Sequence, residues 1–199
     1  MRKHALLAIH YQNENCHPDG KIKVGIAADA PWREERLGNA KRLFTLMRDA
    51  RIPIVHVRLA VDPEYRDVRV NTPLISEWVA MRAWQEGTWG TQFIDDLGPV
   101  DGELVITHTR NSVFHGSTVH DTLMGLGVEH VYFAGVSTAY AVEGSVRQAT
   151  DLGYVCTVVA DACSTATQEQ HFNALKAMAP LAEVVDVDAV AAHVAEQAQ

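Results

Sequence analysis

Six short runs of apolar and β-branched residues punctuate the chain: HALLAIH, IPIVHVRLA, ELVITH, HVYFAGV, YVCTVVA and AEVVDV. Each is hydrophobic almost continuously rather than at alternate positions, the pattern of strands covered on both faces. Between them the period lengthens. Leu37, Ala40, Leu43, Leu46, Met47 and Ala50 recur at helical spacing, with Asp29 and Pro31 suited to the start of that helix. Gly116 and Ser117 open a second helix carrying Val119, Leu123 and Leu126. A third begins near Thr138 and runs through Ala141, Val142, Val146, Ala149 and Leu152 to a stop at Gly153. A fourth follows Thr167, which has capping-box spacing to Gln170. This alternation predicts an α/β three-layer sandwich, Rossmann-like, with a mostly parallel sheet of about six strands and helices on both faces. The stretch from Val61 to Gly98 fits worst. It holds Pro63, Pro73, Trp78, Trp84 and Trp89, and reads as an excursion that covers a pocket mouth or forms a contact in a homo-oligomer.

In sheets of this kind ligands bind outside the carboxyl ends of the strands, near the point where strand order reverses. His10, His108 and the Gly135–Ala141 turn all fall at such ends. The turn after the first strand, HYQNENCHPDG, lacks GxGxxG, and there is no P-loop, so no nucleotide cofactor is expected. With 199 residues and 47% hydrophobic content, a single domain over residues 1–199 is expected. A net charge of -8 and the lack of any basic run argue against nucleic acid as a partner. No run reaches the roughly 20 apolar residues needed to span a bilayer, and MRKHALLAIHYQ fails as a signal peptide, so a cytoplasmic protein is expected. Cys16, Cys156 and Cys163 are odd in number and lack CxxC spacing, which argues against a disulfide framework or a zinc ribbon.

Several segments together resemble the isochorismatase-like cysteine hydrolases: ALLAIHYQNENC, EGTWG at 86–90, RNSVFHGSTVHDTL from Arg110, GVSTAYAVEGSVRQATDLGY from Gly135, and VVADACS from Val158. The resemblance covers most of the chain and implies the isochorismatase-like sandwich. It also implies a triad of Asp, Lys and nucleophilic Cys at the positions of His10, His108 and Ala141. All three are replaced here. In typical members the Cys begins a helix whose amides and dipole lower its pKa and form an oxyanion hole. Ala141 rules out thiol catalysis at that position, although a helix start can still hold a carboxylate, a carbonyl or a developing oxyanion. Members that hydrolyse the vinyl ether of isochorismate also dispense with the Cys and rely on the Asp as an acid. Arg82 and Trp89 match an Arg and a Trp lining the pocket of those members, but His10 in place of the acid disfavours isochorismate. Cys16 matches a second Cys common in nicotinamidase-like members, so a role as relocated nucleophile is not expected. The metal-binding Asp-x-His-x-x-His of nicotinamidases has no counterpart in VRLAVDPEYRD, so no metal is expected.

Two imidazoles at the Asp and Lys positions can divide proton transfer between them, since each ordinarily titrates near neutrality. Metal binding by the pair would need His17 or His115 as a further ligand. Tyr11, Arg110, Phe114, Ser137, Tyr140 and Ala141, with Arg82 and Trp89, are the expected substrate-binding residues. His56, His120, His130, His171 and His193 need only structural roles. The expectation is therefore a small-molecule hydrolase without a cysteine nucleophile, using His10 and His108 on a small carboxyl- or carbonyl-bearing compound. The rivals are a catalytically inactive homologue that binds a ligand or serves in assembly, and a lyase or isomerase.

Overall fold

A computed structural model describes residues 3–197 of the protein. β1 (Lys3–Ile9) leads through the single turn α1 (Asn13–Cys16) into α2 (Arg33–Asp49) and β2 (Ile54–Leu59). The excursion that follows contains α3 (Pro73–Ala80), and the chain returns as β3 (Leu104–His108), α4 (Val119–Leu126) and β4 (Val128–Gly135). A π-helical turn at Thr138–Val142 runs into α5 (Glu143–Asp151), followed by β5 (Val155–Val159), α6 (Gln168–Met178), β6 (Glu183–Val185) and α7 (Val187–Gln197).

All six strands pair in parallel in the order β3-β2-β1-β4-β5-β6. The continuous apolar runs are explained by coverage on both sides. Ala5, Leu7 and Ile9 of β1 share one core with α4, α5 and α6, while Leu6 and Ala8 face α2 and α7. Strand order reverses between β1 and β4, so the crevice expected of an open parallel sheet lies beyond their carboxyl ends.

Helix starts depart from the sequence pattern in instructive ways. Thr167 caps α6 as expected, its hydroxyl accepting from the Gln170 amide at 3.2 Å. α2 starts later than Asp29 and Pro31 suggest, after Trp32 and without a side-chain cap. α4 begins after Thr118, because the Ser117 hydroxyl turns back to donate to the Val113 carbonyl. The Thr138 helix opens with a π turn rather than an α turn. α3, capped by the Thr72 hydroxyl and with Pro73 in its first turn, lies within the proline-rich excursion, where the periodicity gave no helix.

That excursion builds a third apolar cluster of its own. Ile22, Leu59, Val61, Ile75, Trp78 and Trp84 pack together at the carboxyl end of the sheet. Trp78 and Trp84 are buried, which leaves half-exposed Trp89 as the excursion's one tryptophan available to a partner. Among the described residues no helix is long and apolar enough to cross a membrane.

Candidate functional site

His10 is the residue immediately after β1, and its backbone is left-handed, with φ 54°. Non-glycine residues avoid this region, and when one is held there the surroundings must fix it. Here the His10 amide donates to the Val57 carbonyl at 2.9 Å, and its own carbonyl accepts from the Gln12 amide at 2.8 Å. Gln12 extends the clamp: its amide nitrogen donates to the carbonyls of Leu59 and Thr91, and its amide oxygen accepts from the Leu59 N–H. The loop after β1 is thereby tied to the end of β2 and to the returning excursion.

The result is a direct contact between two imidazoles. His10 Nε2 lies 2.5 Å from Nε2 of His108, the last residue of β3, with ring centroids 4.8 Å apart. Both rings are buried, at 3% and 2% exposure. One proton between the two nitrogens makes this a hydrogen bond, and two protonated nitrogens would repel. Burial holds His10 well below the ordinary imidazole range, the neighbouring His108 pushes it further down, and the Val136 backbone opposes the shift. Burial likewise lowers His108 to about 4, against a weaker pull from the Ser112 backbone. No carboxylate compensates either ring. At neutral pH the pair is uncharged.

A narrow cavity of about 20 Å³ opens beside His10 at the β1–β4 switch point. One side is the chain leaving β4, where a cis Val136–Ser137 peptide leads into the π turn bearing Tyr140 and Ala141. The other side is apolar, formed by Leu59, Leu74, Trp78 and Trp84 together with Ile22 and Val24 of the loop after α1. Trp84 has φ 64° and its backbone N–H reaches the buried carboxylate of Glu14, which places its ring 6.2 Å from that of His10. The helix start is partly occupied. The N–H groups of Thr138, Tyr140 and Val142 already bond to the carbonyls of Ser164 and Ser137.

The residues singled out from sequence divide into three groups. His10, Ser137, Tyr140 and Ala141 line the cavity, while His108 does not line it and instead backs His10. Tyr11 and Phe114 lie elsewhere. Tyr11 is buried against Phe44 with its hydroxyl donating to the Ala162 carbonyl at 2.6 Å, and Phe114 stacks on Tyr154 in the core under α4 and α5. Arg82 and Trp89 are exposed and outside the cavity lining, and Arg110 donates to the Arg69 carbonyl and Asn71. The physical reason is side-chain direction: bulky aromatics beside a strand end fill the core, and in the loop after α3 the Arg82 side chain faces solvent while Trp84 is buried.

The cysteines stand apart from this cavity. All three are buried and free, and none lines it. Burial pushes each thiol up to about 12. Cys16 donates weakly to the His10 carbonyl at 3.7 Å, a packing role. Among the described residues no group of three His, Cys, Asp or Glu side chains is placed to hold a metal; His17 packs edge-on against Trp89 instead. Sequence reasoning missed Asn15, Leu74, Trp78 and Trp84 as cavity residues. The clustering of tryptophans and prolines in the excursion was the available signal.

Comparison with known proteins agrees with this architecture. The ureidoacrylate amidohydrolase RutB of Variovorax paradoxus is 27% identical over 172 residues, covering 79% of this chain and 67% of its own length. A cysteine hydrolase from Pseudomonas syringae superposes with a TM-score of 0.87 at 16% identity, covering 98% of this chain and 93% of the other. N-carbamoylsarcosine amidase from Thermoplasma acidophilum superposes with a TM-score of 0.76 at 23% identity, covering 94% and 97%. The isochorismatase domain model matches residues 4–189, nearly the whole chain, and the protein therefore belongs to the isochorismatase family.

Proposed function

We propose that this protein is a small-molecule hydrolase that works without a cysteine nucleophile, using His10 as its base and His108 as the partner that shares the proton. The observation that carries this reading is the 2.5 Å contact between two buried, uncompensated imidazoles, one facing a cavity beside a helix start. In the proposed step a water oxygen bonds to a carbonyl carbon in the cavity while His10 takes the proton that the water loses. The link to His108 spreads the resulting charge over two rings. The carbonyl oxygen gains negative charge and rests against the backbone near Ala141, where oriented amides stabilise an oxyanion. As the tetrahedral species collapses, the bond to the leaving nitrogen or oxygen breaks and the pair returns its proton to that atom.

Support comes from three sides. Low basicity keeps the pair unprotonated at neutral pH, the form a base requires. High thiol pKa values and the absence of cysteine from the cavity lining disfavour a covalent thioester. The names of relatives, an amidohydrolase and an amidase, favour hydrolysis of a carbonyl–nitrogen bond.

The test is ammonia or amine release from a panel of small amides and ureido compounds, with and without iodoacetamide. Turnover is expected to survive alkylation and to fall by about 10²-fold or more in His10→Ala, the usual scale for an acid–base group. Full activity in folded His10→Ala would overturn the reading. Saturable binding of a panel member with no turnover favours the ligand-binding alternative.

A further inference from the structure

Residues of the cavity wall carry buried polar atoms that the protein leaves unanswered. Asn15 is 4% exposed and its Oδ1 has no hydrogen-bond partner. Trp78 and Trp84, at 6% and 2% exposure, each bury an indole N–H without an acceptor. All three residues line the cavity beside His10. Buried polar atoms of this kind are normally satisfied, and each exception calls for a specific partner.

Asn15 cannot relieve itself by turning over. Its Nδ2 donates to the Val136 carbonyl at 3.2 Å, which a flipped amide would face with oxygen, so the free atom is the acceptor. Nor can the side chain readily swing away. The Asn15 carbonyl accepts from the Ile26 N–H at 3.0 Å, and Gly25 packs so closely that an added Cβ would strike Asn15 and Val136. A fixed acceptor and two fixed donors thus belong to a lining that contains no carboxylate, ammonium or guanidinium.

Resting on the hydrolase reading above, we propose that Asn15 is a specificity-determining residue that accepts a hydrogen bond from an N–H or O–H on the uncharged head of the ligand. The indoles of Trp78 and Trp84 offer donors to any carbonyl, so they do not separate an amide from an ester. Among the buried, unpaired atoms of the lining residues Asn15 Oδ1 is the one acceptor, and it does separate them, because an amide supplies a donor and an ester supplies none. A ligand lacking that donor leaves a buried acceptor unpaired, a penalty that hydrogen-bonding sites turn into discrimination. A carboxylate fares worse still, since it brings an anion to an uncharged wall with a fixed oxygen.

The experiment is equilibrium binding, which needs no turnover and so fails or succeeds separately from the base assignment. Isobutyramide, methyl isobutyrate and isobutyrate are titrated into the full-length protein, with tryptophan fluorescence and ligand-observed NMR as readouts. The wild type is expected to bind the amide about 10–100-fold more tightly than the ester, with the anion weakest. Asn15→Leu is expected to bring amide and ester to similar affinity. Because that variant also loses the Val136 bond, the wild-type ratio stands as a test by itself. Equal affinities in the wild type, no saturable amide binding, or an unchanged preference in a folded Asn15→Leu would each overturn the proposal, whatever His10→Ala does to turnover.

Discussion

His56, within β2, and His10, the residue after the neighbouring β1, are both buried, at 0% and 3% exposure, yet their Nε2 atoms are answered in different ways. His56 Nε2 meets Glu103 at 2.8 Å, and Glu103 is gripped from the other side by Arg48, whose Nε and Nη2 donate at 2.8 and 2.9 Å. Phe44 and Phe93 pack edge-on against the imidazole. Burial alone raises the Glu103 carboxyl, but Arg48, the Val100 N–H and His56 outweigh it and hold the group near 2. His10 has no such counter-ion. Its partner is a second imidazole, and its neighbourhood includes a cavity and unsatisfied polar atoms. A buried imidazole fixed by a carboxylate links elements, here β2, α2 and the turn before β3, whereas His10, without a counter-ion, faces a cavity.

Substitution separates the two sites most sharply. His10→Ala is expected to cost about 10²–10³-fold in kcat/KM, and His108→Ala a loss of the same order, with cooperative unfolding retained. Glu103→Ala is expected to do the reverse. It strands Arg48 and His56 and lowers stability by about 2 kcal/mol, as measured by urea unfolding, while changing the rate less than about twofold.

Acid should divide them too. Burial holds the folded-state pKa of His10 and His108 below that of the unfolded chain, it does the same for His171, at about 4, and it lowers His56 as well, where Glu103 opposes the shift. Below pH 6.5 the unfolded chain therefore binds more protons. These groups' stabilising contribution is complete above 6.5 and is lost as pH falls toward 4, by up to ~1.4 kcal/mol per unit for each independent group. The His10–His108 pair titrates as a unit. Glu103, lowered to about 2, contributes stability that is lost only below the ordinary carboxylate range. Unfolding curves at pH 7 and pH 5 should therefore differ less in His10→Gln than in the wild type. The smallest effect expected is that of Ala141→Cys, which places a thiol beside histidines instead of an Asp and a Lys. It should change turnover by less than about tenfold and introduce little sensitivity to iodoacetamide.

Much of this arrangement was legible in the sequence. Continuous apolar runs marked the strands, and the strand-end positions of His10, Ser137, Tyr140 and Ala141 located the cavity. Depth was harder to read. His108 and His10 looked equivalent along the chain, but only His10 reaches the cavity lining while His108 stands behind it. Local spacing could not distinguish an aromatic facing a ligand from one filling the core, as with Tyr11 and Phe114. Arg82 and Trp84, two residues apart, both have positive φ yet face opposite ways, and the local sequence carries no signal for that. Asn15 was hidden in a polar segment, NENC, whose burial arises only when Gly25 and the excursion close over it.

The central claim is that His10 and His108 form a neutral pair open to proton exchange with a ligand, while His56, also lowered by burial, is held by its hydrogen bond to Glu103 in a structural cluster. Long-range ¹H–¹⁵N spectra of protein labelled at histidine, recorded from pH 7.5 to pH 4 with His10→Gln and His56→Gln for assignment, measure this directly. The account predicts that both rings of the pair are neutral at pH 7, that their first protonation falls well below 6.5, and that isobutyramide shifts the His10 ring while leaving His56 unmoved. A pair already protonated at pH 7, or a ligand response at His56 with none at His10, would contradict it.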